Sequence, residues 1–276
     1  LIGLTIVAFG TSAPEFFIGL FTAIKHTPNI SLGNIIGASI LNITLILSIA
    51  SFISPIRIKS DTFKKEIPIL LLVSSLLLIL SLDSKIDRLD GAILLLFFIV
   101  FMFFYTRRIE KINLYQTDLE KRENKKEKRK NIIFITIGII LLWIGAKLLV
   151  ESAINIAQIL NISEILIALT IISVGTTLPE LSTAIISSKN KSNSIVLGDS
   201  LGSVIFNILF IIGVVSLISP ISVPHKTIIF NIPALILFVL TLIVLAKDNK
   251  ITPQKGVLLA ILYFIYLATL FFTEVY

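Results

Sequence analysis

Two short stretches of this chain carry the residues with chemistry to offer, and the two are nearly the same. Gly10-Thr11-Ser12-Ala13-Pro14-Glu15 is answered 165 residues later by Gly175-Thr176-Thr177-Leu178-Pro179-Glu180. Each glutamate lies inside an apolar run long enough to cross a bilayer. A charged side chain at the bilayer centre costs roughly 2.5–3.5 kcal/mol even on the lenient insertion scale, so such residues are usually kept for function. The proline one position earlier has no N–H and crowds the carbonyl four residues back, that of Gly10 or Gly175. A broken helix with a carboxylate beside released carbonyls is how carriers build cation sites near the midplane.

Thr11 and Ser12 precede Glu15 by four and three residues, so their hydroxyls share its helical face, and Thr176 and Thr177 stand in the same relation to Glu180. The next apolar run in each case carries an asparagine: Asn42 with Ser39 three residues before it, and Asn207 with Ser203 four before it. Glycines at 33 and 37, and at 198 and 202, are spaced to let the two helices of each copy approach closely. Everything offered is hard oxygen, which suits Ca²⁺ or Na⁺. The chain has no cysteine, and His26 and His225 fall in loops, so soft transition metals fit poorly. Asp199, which stands where the first copy has Asn34, close to the membrane edge, reads as a helix N-terminal or interfacial residue.

The elements that must hold these residues are membrane helices. Of 276 residues 55% are hydrophobic and only 15% charged, where a soluble domain has about a quarter charged. Nine candidate spans can be drawn, at about 1–24, 30–54, 66–82, 89–106, 132–155, 163–187, 194–218, 227–246 and 255–273. The fourth, rich in Leu and Phe, reads as lipid-facing packing. Lys147 and Glu151, four residues apart in the fifth, read as an internal ion pair or snorkelling groups. The net charge of +7 is no nucleic-acid footprint, because the basic residues collect in loops. Ten lie in the polar linker 107–131, and alternate loops place 19 Lys and Arg on its side against 4 on the other. The positive-inside rule makes that linker cytoplasmic.

The offset of 165 extends beyond the motif: Leu4-Thr5-Ile6 matches Leu169-Thr170-Ile171, Asn42-Ile43 matches Asn207-Ile208, and Ser54-Pro55-Ile56 matches Ser219-Pro220-Ile221. Five spans separate the start of one copy from the start of the next, and an odd number reverses orientation. The expected fold is an all-α polytopic membrane protein, an inverted repeat of five plus five transmembrane helices. Span 132–155 has no mate ahead of the first copy, so the first helix of the ten is expected to be missing from this chain. The domains are then 1–106, a first repeat lacking that helix; 107–131, a basic linker; and 132–276, the second repeat.

GTSAPE with GNIIGASILN, and GTTLPE with GDSLGSVIFN, resemble the two alpha-repeats of the sodium/calcium exchanger family, within the cation/calcium antiporter superfamily. The resemblance implies a secondary antiporter that exchanges Ca²⁺ for Na⁺ by alternating access, with no cofactor beyond the transported ions, in the inner membrane of a prokaryote. Its implied ligands are Thr11, Ser12, Glu15, Asn42, Thr176, Thr177, Glu180, Ser203 and Asn207, with backbone carbonyls near Ala8 and Ser173. This chain departs from the family pattern at Ala38, where a serine is usual, and at Asn207, where some members carry Asp. The alternatives are coupling to H⁺ or K⁺, a non-transporting membrane scaffold, and an intramembrane hydrolase. The last lacks a cysteine, an in-span histidine and an HExxH motif.

Overall fold

A computed structural model describes residues 7–113 and 125–275, with side chains left undescribed at 105–133, 135 and 273–275. The described chain is helical throughout apart from two small strand pairs. Helix α1 (Ala8–Thr11) stops at Ser12 and α2 (Ala13–Ile24) restarts with Pro14 in its first turn, where a missing N–H costs nothing. Helix α3 (Pro28–Ile53) follows, then α4 (62–80), α5 (Arg88–Asn113) and α6 (Lys125–Leu160). The second half runs α7 (Glu164–Thr176), α8 (Leu178–Lys189), α9 (Asn193–Ile218), α10 (Thr227–Ala246) and α11 (Pro253–Val275). Helices α2 to α5 begin at the positions that, moved by 165, begin α8 to α11.

Five helices among the described residues are long and apolar enough to span a bilayer, and six if α7 and α8, bent 43° apart at Thr177, count as one. The nine expected spans are therefore not all single long helices. The first is interrupted at Ser12, with residues 1–6 outside the described chain, and the third opens on the charged residues Lys64, Lys65 and Glu66. Of the expected linker 107–131, residues 107–113 continue α5 and 125–131 open α6, while 114–124 lie outside the described residues. Asp87 sets the start of α5. Its carboxylate accepts from the backbone N–H of Leu89 and Asp90, while Asp90 accepts from the N–H of Asp87. Those N–H groups, with Lys85 beside them, hold the Asp87 carboxyl below its ordinary range.

The strands tie the halves together. β1 (Ile56–Arg57) pairs antiparallel with β4 (Lys250–Ile251), and β2 (Lys85–Ile86) with β3 (Ile221–Ser222). Each pair joins a loop of the first copy to a loop of the second. The helices cross over in the same way. A methyl group on Gly91 of α5 would meet the Ser216 hydroxyl and the Gly213 carbonyl of α9, and one on Gly256 of α11 would meet Ser51 and Ser48 of α3. These contacts are related by the same offset of 165. Helices α3 and α9 lie mostly inside the protein and form its centre. The outward faces of α5, α6 and α11 carry exposed Leu, Ile and Phe, among them Phe104, Leu141 and Phe272, as lipid-facing helices do. Lys147 is exposed on α6 and Glu151 half-buried, and no ion pair joins them among the described residues, which leaves snorkelling as the reading.

Candidate functional site

The site is built where the breaks of the two copies meet the middles of α3 and α9. The spacing of glycines acts differently from the expectation that it draws together the helices of one copy. The close neighbour of α3 is α7, from the other copy. A methyl at Gly33 would sit 2.8 Å from Ala168 Cβ and 3.1 Å from the Ile165 carbonyl, and one at Gly37 would run into the Leu169 carbonyl and Ser173. Only a glycine face lets the α3 backbone come within reach of α7. The short helix α1 packs against α9 in the corresponding position.

This interlock carries every expected site residue inward. Glu15, Glu180, Ser12, Asn42, Ser203 and Asn207 are fully buried, and Thr11, Thr176 and Thr177 are 8%, 3% and 4% exposed. Ser12 Oγ donates to Glu180 Oε1 at 3.2 Å, across the two copies, and Ser203 Oγ donates to the same oxygen at 3.4 Å. Among the described residues, Glu180 Oε2 and both carboxylate oxygens of Glu15 have no hydrogen-bond partner, though all are buried. Glu15 and Glu180 lie within electrostatic reach of each other.

Not every expected residue points to the glutamates. Thr177 donates to the carbonyls of Ser173 (2.8 Å) and Val174 (3.3 Å) on its own helix. Ser39 donates to Ile35 at 2.6 Å, so its hydroxyl does not stand in for the one absent at Ala38. Asn42 donates through Nδ2 to the Ala38 carbonyl at 3.0 Å, leaving Oδ1 free, and Asn207 has neither amide atom partnered. Both asparagines open π-helical turns, Asn42–Ile46 and Asn207–Ile212, a deformation that re-aims side chains and carbonyls and is common at functional sites.

Asp199 requires a correction. It is not interfacial: it lies in the second turn of α9, 1% exposed, and accepts a hydrogen bond from Thr11 Oγ1 at 3.0 Å. Its positional mate Asn34 is fully buried and accepts from Thr176 Oγ1 at 3.1 Å. The two threonines of the motif therefore face a polar pair that the motif itself does not contain. The signal was present in the alignment of the copies, where Asn34 and Asp199 fall at one position inside runs otherwise apolar or small.

Buried acceptor oxygens outnumber donors here. Three orphaned carboxylate oxygens, with free amide oxygens on Asn42 and Asn207, make an environment that cations satisfy and hydrogen bonds do not. Among the described residues no group of three His, Cys, Asp or Glu is placed to hold one metal ion, so an ion here would draw on neutral oxygens as well as carboxylates. A cleft of about 320 Å³ lies beside the site, between Gly145, Ala146 and Leu149 of α6 and Pro14 and Thr176.

The chain as a whole is similar to known proteins. A family model described as sodium/calcium exchanger protein matches residues 1–107 and 130–272. The inner membrane protein YrbG of Escherichia coli is 33% identical over 226 residues, 80% of this chain and 70% of YrbG. The sodium/calcium exchanger MaX1 of Methanosarcina acetivorans is 28% identical across 98% of this chain and 88% of its own. A structure of the sodium-calcium exchanger NCX_Mj soaked with 10 mM Na⁺ and 10 mM Sr²⁺ superposes with a TM-score of 0.71 at 30% identity, over 97% of this chain and 85% of that one.

Proposed function

Because the chain belongs to the sodium/calcium exchanger family, we propose that it exchanges Ca²⁺ for Na⁺ across the membrane by alternating access, with Glu15 and Glu180 as the charged ligands. It is an integral membrane transporter of that family and not an enzyme. The observation that carries the proposal is the pair of fully buried glutamates with three of their oxygens unpartnered. A buried carboxylate without a counter-charge is strongly unfavourable in the membrane interior. Two such groups balance one divalent ion, and the neutral oxygens of Ser12, Asn42, Thr176, Ser203 and Asn207 complete a hard-oxygen shell. Thr11 and Thr177 belong to the same walls. When the divalent ion leaves, the two charges must be met by Na⁺. One site filled in turn by competing ions is what makes transport an exchange.

The finer architecture follows from the same frame. The repeats, 1–106 and 132–276, are inverted halves of a five-plus-five helical design joined by the cytoplasmic linker 107–131. Two features support the inversion. Contacts such as Gly91 on Ser216 and Gly256 on Ser51 exchange the halves. Each strand pair also joins loops that the charge count puts on one side: Arg57 and Lys250 inside, Lys85 and Ser222 outside. The location is the inner membrane of a prokaryote, the bilayer its surroundings, with no nucleic-acid partner. The test is Ca²⁺ uptake by inverted membrane vesicles with and without a Na⁺ gradient. Uptake that needs the gradient is expected. Uptake driven equally by a proton or K⁺ gradient, with Na⁺ inert, would reject the coupling ion.

A further inference from the structure

Asp199 is a third buried acid that the pair of glutamates does not account for. It is 1% exposed in the centre of the protein, and no Lys, Arg or His pairs with it among the described residues. Its one hydrogen-bond donor among the described residues is Thr11, whose hydroxyl also lies 3.2 Å from the carbonyl oxygens of Val7 and Ala8. Three acceptors therefore surround a hydroxyl that has one proton to give. The next residue, Ser12, reaches Glu180, whose Oε2 is orphaned. The buried polar chamber between the two copies is thus, at its Thr11 end, rich in oxygen, holds an acid of its own and is short of hydrogen. The opposite end has the same build with the charge removed, since Asn34 stands there with Thr176.

We propose that Asp199 anchors a Na⁺ position at the Thr11 end of the chamber, distinct from the divalent position between Glu15 and Glu180. The inference rests on the exchanger reading above and adds to it which end of the site holds a monovalent ion by charge. One carboxylate neutralises Na⁺ and leaves a divalent ion half-compensated, so the position discriminates by charge. Asp199 lies within electrostatic reach of both glutamates, but among the described residues the three acids do not form one metal-holding group. With a carboxylate at one end and an amide at the other, Na⁺ occupies the two ends unequally. The Asp199 end fills first.

The experiment uses the full chain, wild type and the variants Asp199→Asn and Asp199→Glu, in detergent and in liposomes. Thermal unfolding, followed by the fluorescence of Trp143, the chain's one tryptophan, is titrated with Na⁺ alone and with Ca²⁺ alone, since an ion that binds the folded state raises the midpoint. For Asp199→Asn the Na⁺ concentration giving half the stabilisation should rise about tenfold or more, the scale of one lost charged contact, while the Ca²⁺ value moves less than about threefold. Asp199→Glu keeps the charge and should keep the Na⁺ response. A purely packing role predicts the opposite order, because an extra methylene in so buried a place does more harm than an isosteric amide. If Asp199→Asn does not fold, the Na⁺ response of Asp199→Glu decides: retained supports the proposal, lost overturns it. An unchanged Na⁺ titration for Asp199→Asn, or parallel loss of Na⁺ and Ca²⁺ responses, overturns it as well. The exchanger reading fails separately, if the wild type in liposomes shows no Na⁺-driven Ca²⁺ flux. A wild type that answers to Ca²⁺ and to protons but not to Na⁺ overturns this inference and leaves a carrier.

Discussion

Replacing Glu15 or Glu180 by Gln removes one charge and almost nothing else. Both side chains are fully buried, so the amide keeps the volume and the packing. At Glu180 the carbonyl of a glutamine can still accept from Ser12 and Ser203. At Glu15 no hydrogen bond within the described residues is lost, because its carboxylate accepts none there. The electrostatic change can be sized. Two unit charges 4 Å apart attract by about 4 kcal/mol at an effective dielectric of about 20, and a divalent ion doubles that to about 8 kcal/mol. Against this, a carboxylate held in the interior without its ion carries a desolvation penalty of several kcal/mol, which the amide is spared. The difference leaves about 3–4 kcal/mol of Ca²⁺ binding lost, or about two orders of magnitude in affinity or more. Ca²⁺ uptake by inverted vesicles, measured at sub-saturating Ca²⁺ and matched protein levels, should fall about a hundredfold or more for either variant. The unfolding midpoint in ion-free detergent should hold or rise, since an amide is cheaper to bury than an ionised acid. Native uptake in both variants would refute the reasoning and make the glutamates packing groups. So would a loss of uptake accompanied by an equal loss of folded protein.

Gly37→Ala forces a methyl against the Leu169 carbonyl and Ser173, and should cost about 1–3 kcal/mol and most of the transport, whereas Gly138→Ala, with nothing within 4 Å, should stabilise by up to about 1 kcal/mol; unfolding in detergent compares them. Asn207→Asp puts a further carboxylate on the α9 π-turn and should alter the Na⁺ dependence of uptake more than its Ca²⁺ dependence, read from uptake across a Na⁺ series. Single cysteines at Asn113 and Asn124, in a chain with none of its own, should resist a membrane-impermeant reagent applied to intact cells, and labelling from outside would reverse the assigned orientation.

The sequence carried the frame of this fold because the frame is periodic. Apolar runs of bilayer length, a proline ahead of each glutamate and a gapless offset of 165 are local or self-similar signals, and the helix boundaries of the two copies keep that offset. What it could not carry is who faces whom. The run 193–218 is apolar or small almost all round, so no periodicity marks the side on which Asp199 sits, and its partner Thr11 is 188 residues away. The glycine spacing announced a close approach but not the neighbour, which proved to be α7 of the other copy. The strands had no signal at all: two-residue ladders such as β1 with β4 are set by where the helices deliver the loops.

The symmetry of the frame makes its failures informative. Moved by 165, Ser203 becomes Ala38 and Ser12 becomes Thr177. Ser203 and Ser12 both donate to Glu180, whereas Ala38 has no hydroxyl and Thr177 spends its own on Ser173. Both losses fall on Glu15, whose carboxylate accepts no hydrogen bond among the described residues while Glu180 has two donors. The third acid is lopsided in the same direction: Asp199 stands at the Thr11 end and neutral Asn34 at the other. Two identical half-sites would hold their ions with equal strength at both ends, giving a cation no electrostatic reason to prefer one. Here the hydrogen-bond donors and the extra charge differ between halves that the backbone keeps alike. The inverted scaffold supplies equivalent geometry for the two directions of movement, and these few side chains make the two ends bind differently.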